Sequence, residues 1–262
     1  MSGDDAAVLY AVADGVATVT LNRPDSKNRL DAGGMAALHE AIERAGHDSE
    51  ARVVVLTGSG TTFCSGADMS AAVAGEAGGF AGSGPTALVG VLTAMLDLPK
   101  PIIARVQGHV AGGGNGLVAA CDLAVASSEA RFAFSEVRIG VAPAVISVVC
   151  LQVMDRRAAQ ELFLTGERVD AERALRAGLV TSVVHPDGLD AAVAGLVDQL
   201  MAGGPEALAG AKDLLRRIPA LPRAQAFDEA ARMSASFFTS DEAREGMTAF
   251  LEKRRPSWSP SS

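Results

Sequence analysis

The chain has 262 residues, of which 48% are hydrophobic and 21% charged, a composition that supplies one large packed domain and excludes a disordered chain. Its 23 lysines and arginines against 31 aspartates and glutamates leave a net charge of −8, which argues against nucleic acid as a partner, because that partner calls for a basic face. The three cysteines, Cys64, Cys121 and Cys150, stand far apart without any CxxC spacing, so neither a zinc site nor a disulfide framework is expected.

The opening "MSGDDAAVLY" has acids where a secretory signal needs bases and an apolar run. The uncharged apolar stretch Val141–Met154 is 14 residues and too short to span a bilayer comfortably. A cytoplasmic protein without membrane contact is expected. Val16–Leu21 alternates and stops before a proline, as a strand does. Asp31 can cap a helix with Met35, Leu38, Ile42 and Ala45 on its apolar face. Arg52–Gly58 is a β-branched run, the mark of a strand buried on both faces. Val73–Gly84 is too long and glycine-rich for an ordinary connection and reads as a lid or a loose loop. Thr86–Leu98 predicts a helix ended by Pro99 and Pro101, and Ile102–Gly108 a second buried strand.

Next comes "GHVAGGGNGLVAACDLAVAS" (Gly108–Ser127), with five glycines in its first nine residues. It predicts a helix from Gly112 to Ala120 entered through glycines, then a third strand. This alternation argues for an α/β layered core. Beyond Pro143 the pattern is helical, with Gly178–Val184 the one later strand and only helices from Leu189. Leu208, Ala211, Leu215 and Ile218 form one late stripe; Ala243, Met247 and Phe250 form another. Ser240 can cap the last helix, with Lys253 and Arg254 in its last turn and Pro256 beyond. Residues 1–200 thus read as the core, and 201–262 as a helical region that either packs on a partner subunit or covers the core.

The glycine run fails the dinucleotide fingerprint, since position 117 is Leu117, and no G-K-[ST] or G-x-S-x-G occurs anywhere. What remains is an oxyanion site or close helix–strand packing. Glycine at a helix N-terminus lets a carbonyl approach an unpaired N–H. A second donor could come from the "FCSGADMS" turn, Phe63–Ser70.

In order and spacing, "LNRPDSKNRL", "GSGTTFCSGADMS", "GHVAGGGNGLVAACDLAVAS", "FAFSEVRIGVAPA" and "SDEAREGMTAFLEKRRP" resemble the enoyl-CoA hydratase/isomerase (crotonase) superfamily over about Val8 to Pro256. The resemblance implies a spiral of βαβ units in two sheets, with a C-terminal helical region for trimerisation. It implies an acyl-CoA thioester as substrate, an enolate-like intermediate, no cofactor beyond that coenzyme A, and a homotrimer or homohexamer. Ala67 and Gly113 match the two oxyanion N–H donors. Coenzyme A would lie along the loop holding Lys27 and Arg29, along Cys64, Ala67, Asp68 and Met69, and near Gly113, Gly116 and Lys253. The family more often carries a small residue where Arg29 stands.

Hydratases of this family use two glutamates. The second matches Glu136; the first falls on Gly116, one helical turn after Gly112, where a side chain is expected to face the same pocket. Glu136 reads as a general acid/base in an apolar pocket, or as an ion-pair partner of Arg138 or Arg131, with strand alternation placing Arg138 on its own face. "SEVRIGVAPAVIS" looks like the bacterial methylglutaconyl-CoA-type hydratase branch. The resemblance therefore implies a lyase that adds water to a 2-enoyl-CoA. The alternatives are a single-glutamate Δ3,Δ2-enoyl-CoA isomerase and a non-catalytic acyl-CoA-binding protein.

Overall fold

The computed structural model describes residues 6–68 and 84–259. Met69 and residues 73–83 of the glycine-rich stretch lie outside them. Strands β1 (Val8–Ala13) and β2 (Val16–Leu21) form an antiparallel hairpin. Its two-residue turn is Asp14–Gly15, both at positive φ, the geometry that asparagine or aspartate followed by glycine favours. Strand β1 was not among the sequence expectations, although Asp-Gly after an apolar alternation is a usable signal for it.

Helix α1 (Ala32–His47) starts as expected: the Asp31 carboxylate accepts from the Gly34 N–H at 2.7 Å, and Met35, Leu38, Ile42 and Ala45 are buried. Strand β3 (Val53–Gly58) is buried throughout. Val54 and Leu56 enter the main core, while Val53 and Val55 meet Ile103, Val125, Leu189 and Val193 on the other face. That double burial is why this strand is continuous Val and Leu rather than alternating. Strand β4 (Thr62–Cys64), helix α2 (Gly84–Asp97), and strands β5 (Ile102–Val106) and β6 (His109–Ala111) follow. Then come helix α3 (Gly113–Ala120), strands β7 (Leu123–Ser127) and β8 (Arg131–Ala133), and helices α4 (Ala144–Val153) and α5 (Arg156–Thr165). Strand β9 (Arg168–Asp170), helix α6 (Ala171–Arg176) and strand β10 (Ser182–Val184) complete the sheets.

One sheet has the order β1-β2-β3-β5-β7-β10, parallel except for the hairpin. The other runs β4-β6-β8-β9, with only the β8/β9 pair antiparallel. The expectation of one strand after Pro143 needs correction, because β9 is a second one. Three residues are too few to show a period, so tertiary pairing alone makes β9 a strand.

Helices α7 (Leu189–Met201), α8 (Pro205–Arg217), α9 (Arg223–Phe238) and α10 (Asp241–Glu252) close the chain. The Ser240 hydroxyl caps α10 by accepting from Ala243 N–H at 3.0 Å. The helix stops at Glu252, so Lys253 is its left-handed C-cap rather than part of its last turn. Lys212 fastens α8 to the core, with Nζ donating to the Met95 and Lys100 carbonyls and to Asp122. Arg52 reaches the carbonyls of Gly203 and Trp258. Even so, Leu215, Phe227, Phe238, Phe250 and Leu251 of this region stay exposed. No helix among the described residues is long and apolar enough to cross a membrane.

Candidate active site

A cavity of about 270 Å³ opens beyond the C-terminal ends of β4, β6 and β8. Three segments bring polar groups to it: the turn after β4 with Ser65, Gly66 and Ala67, the entrance of α3 with Gly112 and Gly113, and Ser135–Glu136. Its remaining walls are apolar, with Leu88 from α2 and the run from Val141 to Ile146.

The loop before α1 holds the first segment in place. Buried Asn28 donates from Nδ2 to the carbonyls of Thr62 (2.7 Å) and Ser59 (2.9 Å). Leu30 then pairs with Ala67: Leu30 N–H donates to the Gly66 carbonyl at 2.7 Å, and Asp68 N–H donates to the Leu30 carbonyl at 3.1 Å. In a trans peptide the C=O and the following N–H point opposite ways. With the Gly66 carbonyl turned to Leu30, the Ala67 N–H is turned away from it. Gly112 lies at φ +51° ahead of α3, and its carbonyl accepts from Asn115 N–H at 2.9 Å. The same geometry directs the Gly113 N–H backward, out of the helix, where no intrahelical acceptor exists. A Cβ added at Gly66 would stand 3.3 Å from Gly113 N and 2.8 Å from the Ala111 carbonyl. The two turns therefore touch, and glycine is what lets them. Two backbone donors thus border one cavity at a helix N-terminus, an arrangement suited to a developing oxyanion.

Glu136 lies on a short 3-10 helix, Ser135–Ile139, not on a strand as the sequence alternation implied. The Gly112 N–H donates to the Ala133 carbonyl at 3.1 Å and so holds this segment against the glycines. Glu136 Oε1 sits 3.4 Å from where a Gly112 Cβ would be, and Oε2 is buried without a hydrogen-bond partner. Burial raises its carboxyl above the ordinary range, offset in part by a hydrogen bond from its own backbone. The ion-pair alternatives do not form. Arg138 turns outward to the Thr165 carbonyl at 3.1 Å, and Arg131 Nη1 donates to the carbonyls of Ser128, Glu129 and Ala130. The 3-10 turn rotates residue 138 away from residue 136, which strand alternation would not have done.

Two expected contacts need correction. Gly116 does not itself line the cavity, because Ile146, which does, stands in front of it: a Cβ at 116 would meet Ile146 Cγ2 at 2.5 Å. Cys64 is buried in the core, and its carbonyl stands 2.7 Å from where a Gly114 Cβ would lie. Burial pushes its thiol up to about 12, so it is an inert packing group. Lys27 is exposed in left-handed backbone, with its carbonyl accepting from Ser65 N–H at 3.0 Å. Arg29 pairs with Asp68 (Nε–Oδ2 3.2 Å) beside the cavity. Lys253 is exposed at the end of α10 and is not among the lining residues. Asn28, Leu30 and the apolar wall around Ile146 were missed by sequence reasoning. Asn28 sits inside the matched "RPDSKNRL" segment, so a polar residue there was visible, but its burial was not.

The model of the enoyl-CoA hydratase/isomerase family matches residues 11–261. The chain belongs to the enoyl-CoA hydratase/isomerase family. It is a crotonase-type α/β enzyme with hydratase-like activity, a lyase. Among its relatives in that family, the carnitinyl-CoA dehydratase of Citrobacter koseri is 36% identical over 253 residues, 92% of this chain and 93% of that protein. A solved enoyl-CoA hydratase from Mycobacterium smegmatis is 37% identical with a TM-score of 0.86, over 96% of this chain and 98% of that one. Another, from Shewanella pealeana, superimposes with a TM-score of 0.91 at 30% identity, covering 98% and 97%.

Proposed function

We propose that this enzyme adds water across the C2–C3 double bond of a 2-enoyl-CoA whose acyl group is apolar. The Ala67 and Gly113 N–H groups hold the thioester oxygen. The Glu136 carboxylate takes a proton from water as the water oxygen bonds to C3, and the electrons of the C2–C3 double bond shift toward C1, placing the negative charge on the thioester oxygen as an enolate. Protonated Glu136 then returns a proton to C2, leaving a 3-hydroxyacyl-CoA. No cofactor beyond the coenzyme A of the substrate is needed for these steps. The observation that carries the reading is one buried carboxylate without a partner, on the same cavity as two outward N–H donors.

The acyl class follows from charge. Glu136 is the only ionisable residue among the described lining residues. A distal carboxylate, as in a methylglutaconyl group, would be buried without a counter-cation. Incubation with apolar 2-enoyl-CoA, 3-enoyl-CoA and methylglutaconyl-CoA tests this by product mass and double-bond position. Water gain on the first is expected, with poor turnover of the third. Exclusive double-bond migration in the 3-enoyl compound, without mass change, would replace the reading by the isomerase one.

We further infer that residues 201–262 assemble the enzyme as a homotrimer or a dimer of trimers. The exposed Phe250 and Leu251 at the end of a fully built core support this. The double variant Phe250→Ser/Leu251→Ser should sediment at lower mass with its fold intact by circular dichroism. Unchanged mass would count against these residues as a contact.

A further inference from the structure

Gly116 is buried midway along α3, and the atoms nearest its missing side chain all belong to Ile146. A Cβ at 116 would lie 2.5 Å from Ile146 Cγ2, 3.1 Å from its Cβ and 3.7 Å from its Cα. Ile146 is 2% exposed, stands in the first turn of α4 and lines the same cavity as Glu136. Helices α3 and α4 are thus in contact at this point because one carries glycine and the other a branched side chain. One turn further along α4, the Cys150 thiol approaches the Asn115 carbonyl at 3.8 Å. The packing leaves no volume for a side chain from 116.

We propose that Ile146 determines how this site handles protons. It fills the space that a second carboxylate on α3 would occupy, and it keeps the wall near Glu136 apolar, so that Glu136 works alone. This inference rests on the reading of Glu136 as the acid/base. The surroundings agree with it: α3 carries no titratable residue, and α4 carries only Cys150, whose thiol is itself pushed up by burial and by the Glu136 charge. Of the charged residues on the neighbouring elements, Arg138 binds the Thr165 carbonyl, Arg131 binds backbone carbonyls, and Glu161 of α5 pairs with Arg173. Burial is the dominant influence on Glu136, and Ile146 is one of the apolar residues lining the cavity that Glu136 faces.

Two measurements test the proposal. The first is a stability cycle. Gly116→Ala should lower Tm, because the new Cβ meets Ile146. Gly116→Ala in an Ile146→Gly background should lower it much less, since only the more distant backbone remains. Equal losses in both backgrounds would overturn the coupling. The second concerns Glu136. Ile146→Ser should admit water, so the acid limb of kcat/KM moves to lower pH, toward the ordinary carboxylate range; Ile146→Thr is the milder variant in case the serine protein does not fold. An acid limb that stays in place in the folded variant would overturn the control of Glu136.

The same titration can be read without turnover, from the pH dependence of the Tm difference between each protein and its Glu136→Gln derivative. If that difference responds to Ile146→Ser but the wild type hydrates no enoyl-CoA, the proposed reaction fails and the control of Glu136 stands. If hydration is robust and neither readout moves, the inference fails and the reaction stands. The constructive form is Gly116→Glu with Ile146→Gly, in which a second ionisation should appear in the pH profile; a profile unchanged from wild type in the folded protein would count against the space assigned to Ile146.

Discussion

Glu136→Gln should lower kcat by ~10²–10⁴, the scale of general acid–base catalysis, with the fold retained. Glutamine keeps the shape of the side chain and its hydrogen bonding but cannot take a proton from water. The pH dependence has a defined sign. Burial raises the folded-state value of the Glu136 carboxyl above its unfolded one. Its protonation therefore stabilises the fold below the unfolded value, and that contribution is lost as pH rises through the folded value. The ionised carboxylate that serves as base is the less stable form, so activity should fall on acidification at a higher pH than for an exposed glutamate. The glutamine variant should be more stable than wild type near neutral pH, with the difference vanishing in acid. Activity profiles and thermal melts across pH check both limbs. Full activity in the glutamine variant would remove Glu136 from the chemistry.

Gly113→Pro should lower kcat by ~10²–10³, the usual effect of deleting one oxyanion donor. Proline at the first position of a helix is well tolerated, because its φ is already helical and the N–H it lacks has no intrahelical partner. The substitution therefore removes the donor without breaking α3. A new Cβ would lie 3.2 Å from Leu30 Cδ1 and 3.6 Å from Leu88 Cδ2, both movable side-chain ends. Affinity for the coenzyme A portion should change little, because the lost interaction is strongest when charge builds on the thioester oxygen. The paired measurement is kcat with substrate against Kd for a saturated acyl-CoA. Near-normal kcat would remove the Gly113 N–H from the oxyanion site.

Several features of this protein could be read along the chain because a local physical rule carries them. The Asp31 cap needs only a carboxylate three residues ahead of an N–H, and α1 follows from its apolar spacing. Strand β3 announces itself because burial on both faces demands unbroken Val and Leu. The glycines before α3 signal a close approach of backbone, and the Gly66–Gly113 contact is that approach. Order and spacing of the motifs were enough to place the family.

Other features were decided only when distant segments met. The three-residue strands β8 and β9 have no period and exist through pairing with each other and with β6. The short 3-10 turn carries Arg138 away from Glu136, whereas a strand would have placed both on one face. The unpaired, buried state of Glu136 depends on three segments converging on one cavity. Gly116 illustrates the limit most clearly. Helical spacing correctly puts it one turn beyond the oxyanion glycine, but which neighbour fills that face depends on Ile146, thirty positions further along. A residue's own period tells which side of an element it occupies. The atoms that press on that side are set by packing between elements, and that packing is non-local.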